Sequence, residues 1–301
     1  MKTQILKWKD GKKAPFLLAF DDSAPTHLDI VVPELFKREM VGTFYIIAGG
    51  EPFQNRRAQW ENVAQTPWVT LANHTFTHNG AASAAELEAE LERANAAIRE
   101  STPHLPWPRL LSFGRPGGVP WTVSEAEVDE LLTRFRLAAR PPFRNPHQIE
   151  KSWLQTTREL LCVVDEALKA GQIRQIGFHG VGGDWLSTPL PCFLALLDEL
   201  DARRAELWFT DAASAHKYQF ERDAAQLEVA ASSSQAISLQ LRCGTDSTLY
   251  DLPLSLAIEV PENWVKCEVE QGSEKALVET KNGVLRYEAA PVSGEIALRR
   301  A

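Results

Sequence analysis

The sequence predicts an α/β fold: a distorted (β/α)7 barrel followed by a small C-terminal β-sandwich. Seven short apolar runs recur over the first 210 residues, and segments with helical character separate them. After about residue 220, apolar and polar residues alternate instead. A chain of 301 residues suits one large and one smaller domain. We therefore expect a barrel over residues 1–220 and a β-sandwich over residues 221–301.

The seven apolar runs are nearly continuous in hydrophobicity and lack a helical period. This pattern is typical of strands buried on both faces of a parallel sheet. Seven strands favour a barrel with one strand fewer than the common eightfold form, and an open sheet is the alternative. The runs cover residues 16–20, 43–48, 68–72, 110–113, 135–139, 175–178 and 207–209.

The clearest of the intervening helices is predicted over residues 83–100. Ser83 and Glu86 form a capping-box pattern at its start, and Pro103 ends it. Apolar residues then fall on one helical face at steps of four, three and four. They are Leu87, Leu91, Ala94 and Ile98.

The segment after residue 220 alternates with a period of two, which indicates antiparallel strands. Turn residues such as the Asn282–Gly283 pair separate the runs. About eighty residues suffice for a small β-sandwich. The alternating apolar positions are Ile237, Leu239, Leu241, Leu254, Leu256, Ile258, Val260, Val265, Cys267 and Val269.

The charge and hydropathy of the sequence argue against some classes of binding partner. The formal net charge is -8, so phosphate backbones and anionic membranes are repelled. No apolar run approaches the ~20 residues of a membrane-spanning helix. The N-terminal residues lack the apolar stretch of a secretory signal, so we expect a cytoplasmic protein unless a leader is removed. We expect neither a nucleic acid nor a membrane partner, and the sequence does not indicate an oligomeric state.

Polar residues follow six of the seven predicted strands. The carboxyl ends of parallel strands build the active sites of α/β folds, so these residues should meet at one rim. They are Asp21 and Asp22, Asn73 and His74, Arg115, Arg140, His179, and Thr210 with Asp211.

His74 and His78 form one candidate pair of metal ligands. Two histidines four residues apart lie on the same face of a helical turn and can bind one metal ion. The alternative is a pair of surface or capping histidines. Because the pair follows a buried strand, and the chain has seven histidines, we favour the metal interpretation.

Asp21 and Asp22 form a second candidate group. Adjacent carboxylates at a strand end repel each other without a nearby cation, although a solvated turn or a helix cap is the alternative. Adjacent side chains on an extended segment diverge, so one aspartate can bind metal while the other faces substrate. A set of one aspartate and two histidines leaves coordination positions open, as in a catalytic site.

His179 precedes a glycine-rich loop and suits a proton donor at an open cleft. A histidine that simply closes a strand end is the alternative. Trp185 and Trp121 lie in predicted rim loops and could stack on sugar rings, whereas most tryptophans belong to the core.

In order and spacing, these motifs resemble those of the polysaccharide deacetylases, carbohydrate esterase family 4, over about residues 10–220. The resemblance implies a seven-stranded barrel and assigns a role to each matching residue. Asp21 would be the catalytic base and His179 the catalytic acid. The motifs are Phe20-Asp21-Asp22, His74-Thr75-Phe76-Thr77-His78, Pro116-Gly117-Gly118 and Phe178-His179. The implied metal ligands are Asp22, His74 and His78, with zinc the usual ion and cobalt or another divalent ion as alternatives.

The sequence also departs from the family pattern. Ser23 stands where the family usually has glycine, and Gly177 replaces a leucine two residues before the last histidine. The aspartate–tryptophan pair of the fourth motif is not evident. Either Arg115 or Arg140 could orient Asp21.

The resemblance implies a metal-dependent hydrolase that removes acetyl groups from a poly- or oligosaccharide. We expect N-deacetylation, with O-deacetylation as a second outcome. An acetyl-xylan-type esterase or a small cyclic amide hydrolase could use the same residues. A non-catalytic carbohydrate-binding protein is the third alternative, although a pure binder needs no base and acid beside a metal.

Overall fold

The structure is a computed structural model that describes residues 2–141 and 148–301. Strands β1 to β16 are, in chain order, Thr3–Ile5, Ala14–Asp21, Gly42–Ile46, Val69–Asn73, Leu111–Phe113, Leu137–Ala139, Gln148–Ser152, Ile173–Phe178, Leu207–Phe209, Ala225–Ser232, Ala236–Cys243, Leu254–Glu259, Lys266–Gln271, Glu274–Lys281, Val284–Ala289 and Gly294–Arg300. Helices α1 to α8 are Val32–Lys37, Glu51–Gln54, Arg57–Val63, Ala84–Ser101, Glu125–Arg134, Thr157–Ala170, Leu190–Ala202 and Ala212–Ala224. A 3-10 turn lies at Lys9–Gly11 and a π-helical turn at His27–Val31.

The chain divides into two compact units. One is Lys13–Ala215, and the other combines Met1–Lys12 with His216–Ala301. The expected boundary at residue 220 thus differs from the structural one by five residues, and the first twelve residues group with the C-terminal segment. The reason for this grouping is that β1 pairs antiparallel with β12. β1 spans only three residues, too few for an alternating pattern to reveal it.

The predicted α/β class is confirmed in the first unit by a parallel sheet shaped as a half-barrel. Its strand order is β6-β5-β4-β3-β2-β8-β7, and β9 also pairs with β2. All seven predicted runs are strands of this sheet. The eighth strand, β7, was not predicted, because its sequence Gln-Ile-Glu-Lys-Ser contains a single apolar residue.

Strand β2 lies near the middle of the sheet, and all eight of its residues are buried. Phe20 packs into the main core, where its ring stacks on Phe44 and Phe178 at centroid distances of 4.9 and 5.3 Å. Ala19 belongs to a separate small cluster with Tyr45. Because successive side chains of a strand point to opposite faces, Asp21 shares the face of Ala19 rather than that of Phe20.

The predicted helix over residues 83–100 is confirmed as α4. The Ser83 hydroxyl accepts the backbone N–H of Glu86 at 3.3 Å, which satisfies a donor left free at the helix start. The four apolar residues predicted to share a face are all buried. None of the helices in the described ranges is long and apolar enough to cross a lipid bilayer.

The second unit is built on antiparallel strands in the order β1-β12-β15-β14-β13-β16-β11-β10. The period-two alternation is confirmed, since every second residue of β11, β12 and β13 is buried while β14 is largely exposed. Asn282 and Gly283, with φ of 53° and 69°, form the tight turn between β14 and β15. The antiparallel character is therefore established, and the arrangement as a sandwich stays a prediction.

Glu221, in α8, is a buried acid in the second unit. One carboxylate oxygen accepts the backbone N–H of Leu252 at 2.9 Å, and the other has no hydrogen-bond partner among the described residues. Burial raises the pKa of Glu221 to about 7. The folded state therefore binds this proton more tightly than the unfolded state does. The free energy of unfolding consequently falls as the pH rises from 4.5, the ordinary pKa of a glutamate, to about 7.

We expect Glu221→Gln to stabilise the protein at pH 8 but not at pH 4.5. Glutamine keeps the acceptor for Leu252 and removes the buried charge, so the gain should be on the order of 2 kcal/mol above pH 7. Thermal unfolding at the two pH values measures it. Glu228→Gln, at an exposed position of β10, is the control. An equal effect of Glu221→Gln at both pH values would contradict the buried-charge explanation.

Candidate metal and catalytic site

Asp21 and Asp22 lie where β2 ends, and their side chains diverge as predicted. Asp22 and Ser23 have φ of 68° and 55°, so the chain turns sharply directly after the strand. Asp21 consequently points toward Arg140, and Asp22 points toward the imidazoles of His74 and His78.

Arg140, which follows β6, binds Asp21 through two parallel hydrogen bonds. Nη1 donates to Oδ1 at 2.5 Å and Nη2 donates to Oδ2 at 2.7 Å. The side chains of Arg140 and Asp21 are only 11% and 7% exposed, and the guanidinium lies 4.4 Å from the centroid of the Tyr45 ring. Burial alone would raise the pKa of Asp21, but the charge and hydrogen bonds of Arg140 hold it well below its usual value. Asp21 is therefore ionised at neutral pH.

Asp22 faces two histidines without forming a hydrogen bond to either. Its Oδ1 lies 3.4 Å from Nε2 of His74 and 3.5 Å from Nε2 of His78, and this buried oxygen has no hydrogen-bond partner among the described residues. Nδ1 of His74 donates to the carbonyl oxygen of Gly114 at 2.7 Å. In a neutral His74 ring the lone pair of Nε2 is then directed at a carboxylate oxygen, and a cation would stabilise this arrangement of two acceptors.

The three ligand atoms fit a divalent cation. Ligands about 2.1 Å from zinc at tetrahedral angles lie about 3.4 Å apart, close to the 3.4 and 3.5 Å between Oδ1 of Asp22 and the two imidazole nitrogens. Asp22, His74 and His78 are the only set of three potential ligand side chains in residues 2–141 and 148–301 whose atoms converge, within 4.8 Å of one another. Three protein ligands would leave coordination positions open, as in catalytic zinc sites.

The segment between the two histidines is a loop, so the predicted helical turn is wrong. Thr75 and His78 have φ of 64° and 63°, which interrupts any helix. The side chain of Asn73 accepts the backbone N–H of Thr75 at 2.8 Å, and the hydroxyl of Thr75 accepts that of His78 at 3.0 Å. Glu90 of α4 accepts the backbone N–H groups of Phe76 and Thr77. The loop still brings the two imidazole centroids within 4.9 Å.

His179 lies directly after β8 and beside Asp22. Its Nε2 is 3.7 Å from Oδ2 of Asp22. Its carbonyl oxygen accepts a hydrogen bond from Nε2 of His27 at 2.5 Å. Burial lowers the pKa of His27 to about 4, so this imidazole is neutral at pH 7. His27 therefore anchors the backbone of His179 without adding charge to the site.

The other predicted site residues lie in different surroundings. Arg115 pairs with Glu125 at 2.7 Å and lies 4.6 Å from the centroid of the Trp121 ring, so Arg140 is the arginine that binds Asp21. Trp121 is half-buried, and its Nε1 donates to the carbonyl of Pro116 at 3.0 Å. Trp185, by contrast, is 67% exposed in the loop after β8.

Sequence reasoning missed three residues that shape the site. Glu150 lies in β7, a strand with no apolar pattern, and its carboxylate is 3.8 Å from Nε of Arg140. Glu90 gave no signal because it contacts the histidine loop from a separate helix. His27 is fully buried between Phe20 and Phe44, and a lone histidine in a helical segment indicates nothing by itself.

Comparison with known proteins finds a family model that matches part of the chain. Residues 9–119 match the polysaccharide deacetylase family model. No curated protein matches the chain. Solved structures with similarity include a CE4 family pseudoenzyme from Bacillus anthracis (16% identity, TM-score 0.47, covering 65% of this chain and 63% of that one). Others are a peptidoglycan deacetylase from Bacillus subtilis (16%, 0.43, 70% and 93%) and the CE4 domain of a multidomain xylanase from the hindgut metagenome of Trinervitermes trinervoides (16%, 0.46, 68% and 90%).

The chain thus spans less than two thirds of the length of the pseudoenzyme, at 63%. The segment matched by the family model contains Asp21, Asp22, His74 and His78, whereas Arg140 and His179 follow it. The resemblance drawn from the sequence motifs is confirmed over residues 9–119, which match the family model of the polysaccharide deacetylases.

Proposed function

We propose that this protein is a metal-dependent hydrolase that removes acetyl groups from a carbohydrate. The observation that carries the proposal is the buried Oδ1 of Asp22, which faces two imidazole nitrogens at 3.4 and 3.5 Å without a hydrogen bond. An ionised aspartate and a third histidine flank this set. A structural metal site would need neither of these additional groups.

Asp22, His74 and His78 would hold the cation, and we propose zinc because its usual ligands are imidazole and carboxylate. When bound there, a divalent cation would act as a Lewis acid toward the acyl carbonyl and make water more acidic. The hydrogen bond from His74 to Gly114 supports this role, since it fixes the ring orientation and the tautomer.

Asp21 would accept the proton of the attacking water. Its two hydrogen bonds to Arg140 keep it ionised and oriented, and its remaining lone pairs are free to accept the water. His179 would donate a proton to the departing sugar nitrogen or oxygen. Its Nε2 lies 3.7 Å from Oδ2 of Asp22, whereas the two ligand imidazoles face Oδ1, so the proposed acid lies beside the ligand set.

A neutral acetylated sugar is the substrate class that we propose, with N-acetyl preferred over O-acetyl groups. Trp153 and Trp185 follow the neighbouring strands β7 and β8 and are 56% and 67% exposed. Exposed aromatic rings at the carboxyl ends of strands suit stacking against sugar faces. The net charge of -8 does not oppose a neutral ligand.

Acetate release tests the proposal. The purified protein would be incubated with an N-acetylated chitin oligosaccharide and with an O-acetylated xylan oligosaccharide, each with added zinc and after chelation. We expect zinc-dependent release, faster from the N-acetyl substrate. Faster release from xylan would favour an esterase instead. Sugar binding without release, at full zinc occupancy, would favour a non-catalytic binding protein and overturn the proposal.

A further inference from the structure

We propose that Glu150 is a positioning residue that holds Arg140, and through it Asp21, in the orientation that proton transfer requires. The inference rests on the proposed function, because it takes Asp21 to be the proton acceptor. Glu150 lies in the middle of β7, and its side chain is only 13% exposed.

The guanidinium of Arg140 is contacted on two edges and one face. Its two terminal nitrogens donate to Asp21, its face lies against Tyr45, and its Nε is 3.8 Å from Oε2 of Glu150. A guanidinium is a rigid plane, so a charge at the Nε edge limits the rotation that the Asp21 contacts leave free. Asp21 alone would fix one edge of the Arg140 guanidinium. Asp21 and Glu150 together fix the orientation of its plane.

A missing side chain makes room for this carboxylate. A Cβ atom placed on Gly177 would lie 2.7 Å from Oε1 of Glu150, closer than real Cβ contacts allow. Gly177 pairs with Ser152 in the register of β7 and β8, two residues beyond Glu150. Any larger residue at position 177 would displace the Glu150 carboxylate. The position of this carboxylate therefore depends on glycine at position 177.

The cost of burying Glu150 supports a specific role. Burial raises the pKa of Glu150, and the charge of Arg140 opposes that rise. Gln175, which pairs with Glu150 in the strand register, is fully buried, and its amide helps to oppose the rise in the pKa of Glu150. Burying the polar side chain of Glu150 in β7 lowers the stability of the folded state. The position of Glu150 beside Arg140 accounts for this cost, because the carboxylate there orients the guanidinium.

The test is a pair of substitutions that act on the same contact. Glu150→Gln removes the charge at constant size, and Gly177→Ala displaces the carboxylate. We expect each to lower kcat for acetate release from the chitin oligosaccharide about 10-fold, with KM and zinc content unchanged. In a Glu150→Ala background, Gly177→Ala should have no further effect, because no carboxylate remains to be displaced.

Two matched controls isolate the contact. Glu166→Gln removes a carboxylate that is also 3.8 Å from an arginine Nε, that of Arg174, but is 45% exposed. Gly244→Ala adds a Cβ where no atom lies within 4 Å. Both should leave kcat unchanged. A Glu150→Gln protein with wild-type kcat, or one whose lost activity matches lost zinc, would overturn the proposal.

A measurement without turnover separates this proposal from the proposed function. If the wild-type protein releases no acetate, the function fails, and the contact can still be tested by thermal unfolding. We expect Glu150→Gln to raise Tm by several degrees more in an Arg140→Leu background than in the wild type, because two unpaired carboxylates then face each other. Equal shifts in the two backgrounds would show that Glu150 does not act through Arg140.

Discussion

Asp21→Asn should lower the rate of acetate release by about 10² to 10⁴ while zinc stays bound, whereas Asp22→Ala should lose both zinc and activity. The two residues are adjacent and both are carboxylates, so loss of charge at the strand end cannot by itself separate them. The structure separates them by direction, since Asp21 binds Arg140 and Asp22 faces the two imidazoles.

The asparagine keeps the shape of Asp21 but cannot accept the proton of the attacking water. It leaves the three proposed ligands in place, so zinc stoichiometry should stay near that of the wild type. Removing Asp22 leaves two histidines, which hold a divalent ion weakly. Elemental analysis and acetate release, measured on the same preparations, give the two quantities.

A fold control is needed, because Asp21 is also half of a buried ion pair. Circular dichroism and thermal unfolding identify any Asp21→Asn protein that has lost its structure. His104→Ala, at an exposed position outside the site, is a histidine substitution that should change neither quantity. Loss of zinc from Asp21→Asn and its retention in Asp22→Ala would reverse the two roles. Wild-type acetate release in both variants would remove the aspartates from the reaction.

The buried strands were predictable because burial on both faces leaves a continuous apolar run. β7 was not, for a physical reason that concerns the site. Its central Glu150 lies beside Arg140, and its outer residues Lys151 and Ser152 are exposed. Because β7 contributes a charged side chain to the site, it carries no apolar pattern. Neither the periodicity nor the hydropathy of the sequence can therefore detect this strand.

The spacing of the histidines predicted their proximity but not the conformation that produces it. Thr75 and His78 adopt positive φ because Asn73 and Glu90 satisfy the backbone donors of the loop. Glu90 belongs to α4, so this support depends on how the helix packs on the sheet. A four-residue spacing alone cannot distinguish such a loop from a helical turn.

The choice between two arginines also depended on tertiary structure. Arg115 and Arg140 both follow strands of the same sheet, and the sequence alone left either of them as the arginine that orients Asp21. The segment that contains Trp121 and α5 lies between them, and it engages Arg115 through Glu125 and the Trp121 ring. Arg140 is left to bind Asp21, which sequence spacing could not decide.

Arg140→Leu should lower the free energy of unfolding by about 3–5 kcal/mol, the usual cost of removing one partner of a buried ion pair. Its side chain is 11% exposed and that of Asp21 is 7% exposed, so solvent cannot replace the lost charge. Burial works to lower the pKa of Arg140, but the carboxylates of Asp21 and Glu150 raise it above its usual value. Without the arginine, both carboxylates remain in a buried setting, and one must become protonated or the site must open.

Arg115→Leu is the matched control, because it makes the same change at an arginine whose partner Glu125 is 47% exposed. An exposed pair of this kind contributes about 1 kcal/mol or less. Denaturant unfolding of both variants should be measured in chelator, since a bound cation would itself compensate the aspartates. In the Arg140→Leu background, Asp21→Asn should recover part of the lost stability, because it removes one of the two unpaired charges. Equal losses for Arg140→Leu and Arg115→Leu, or a further loss in the double variant, would show that the Asp21–Arg140 pair is not the buried charge centre that holds the site together.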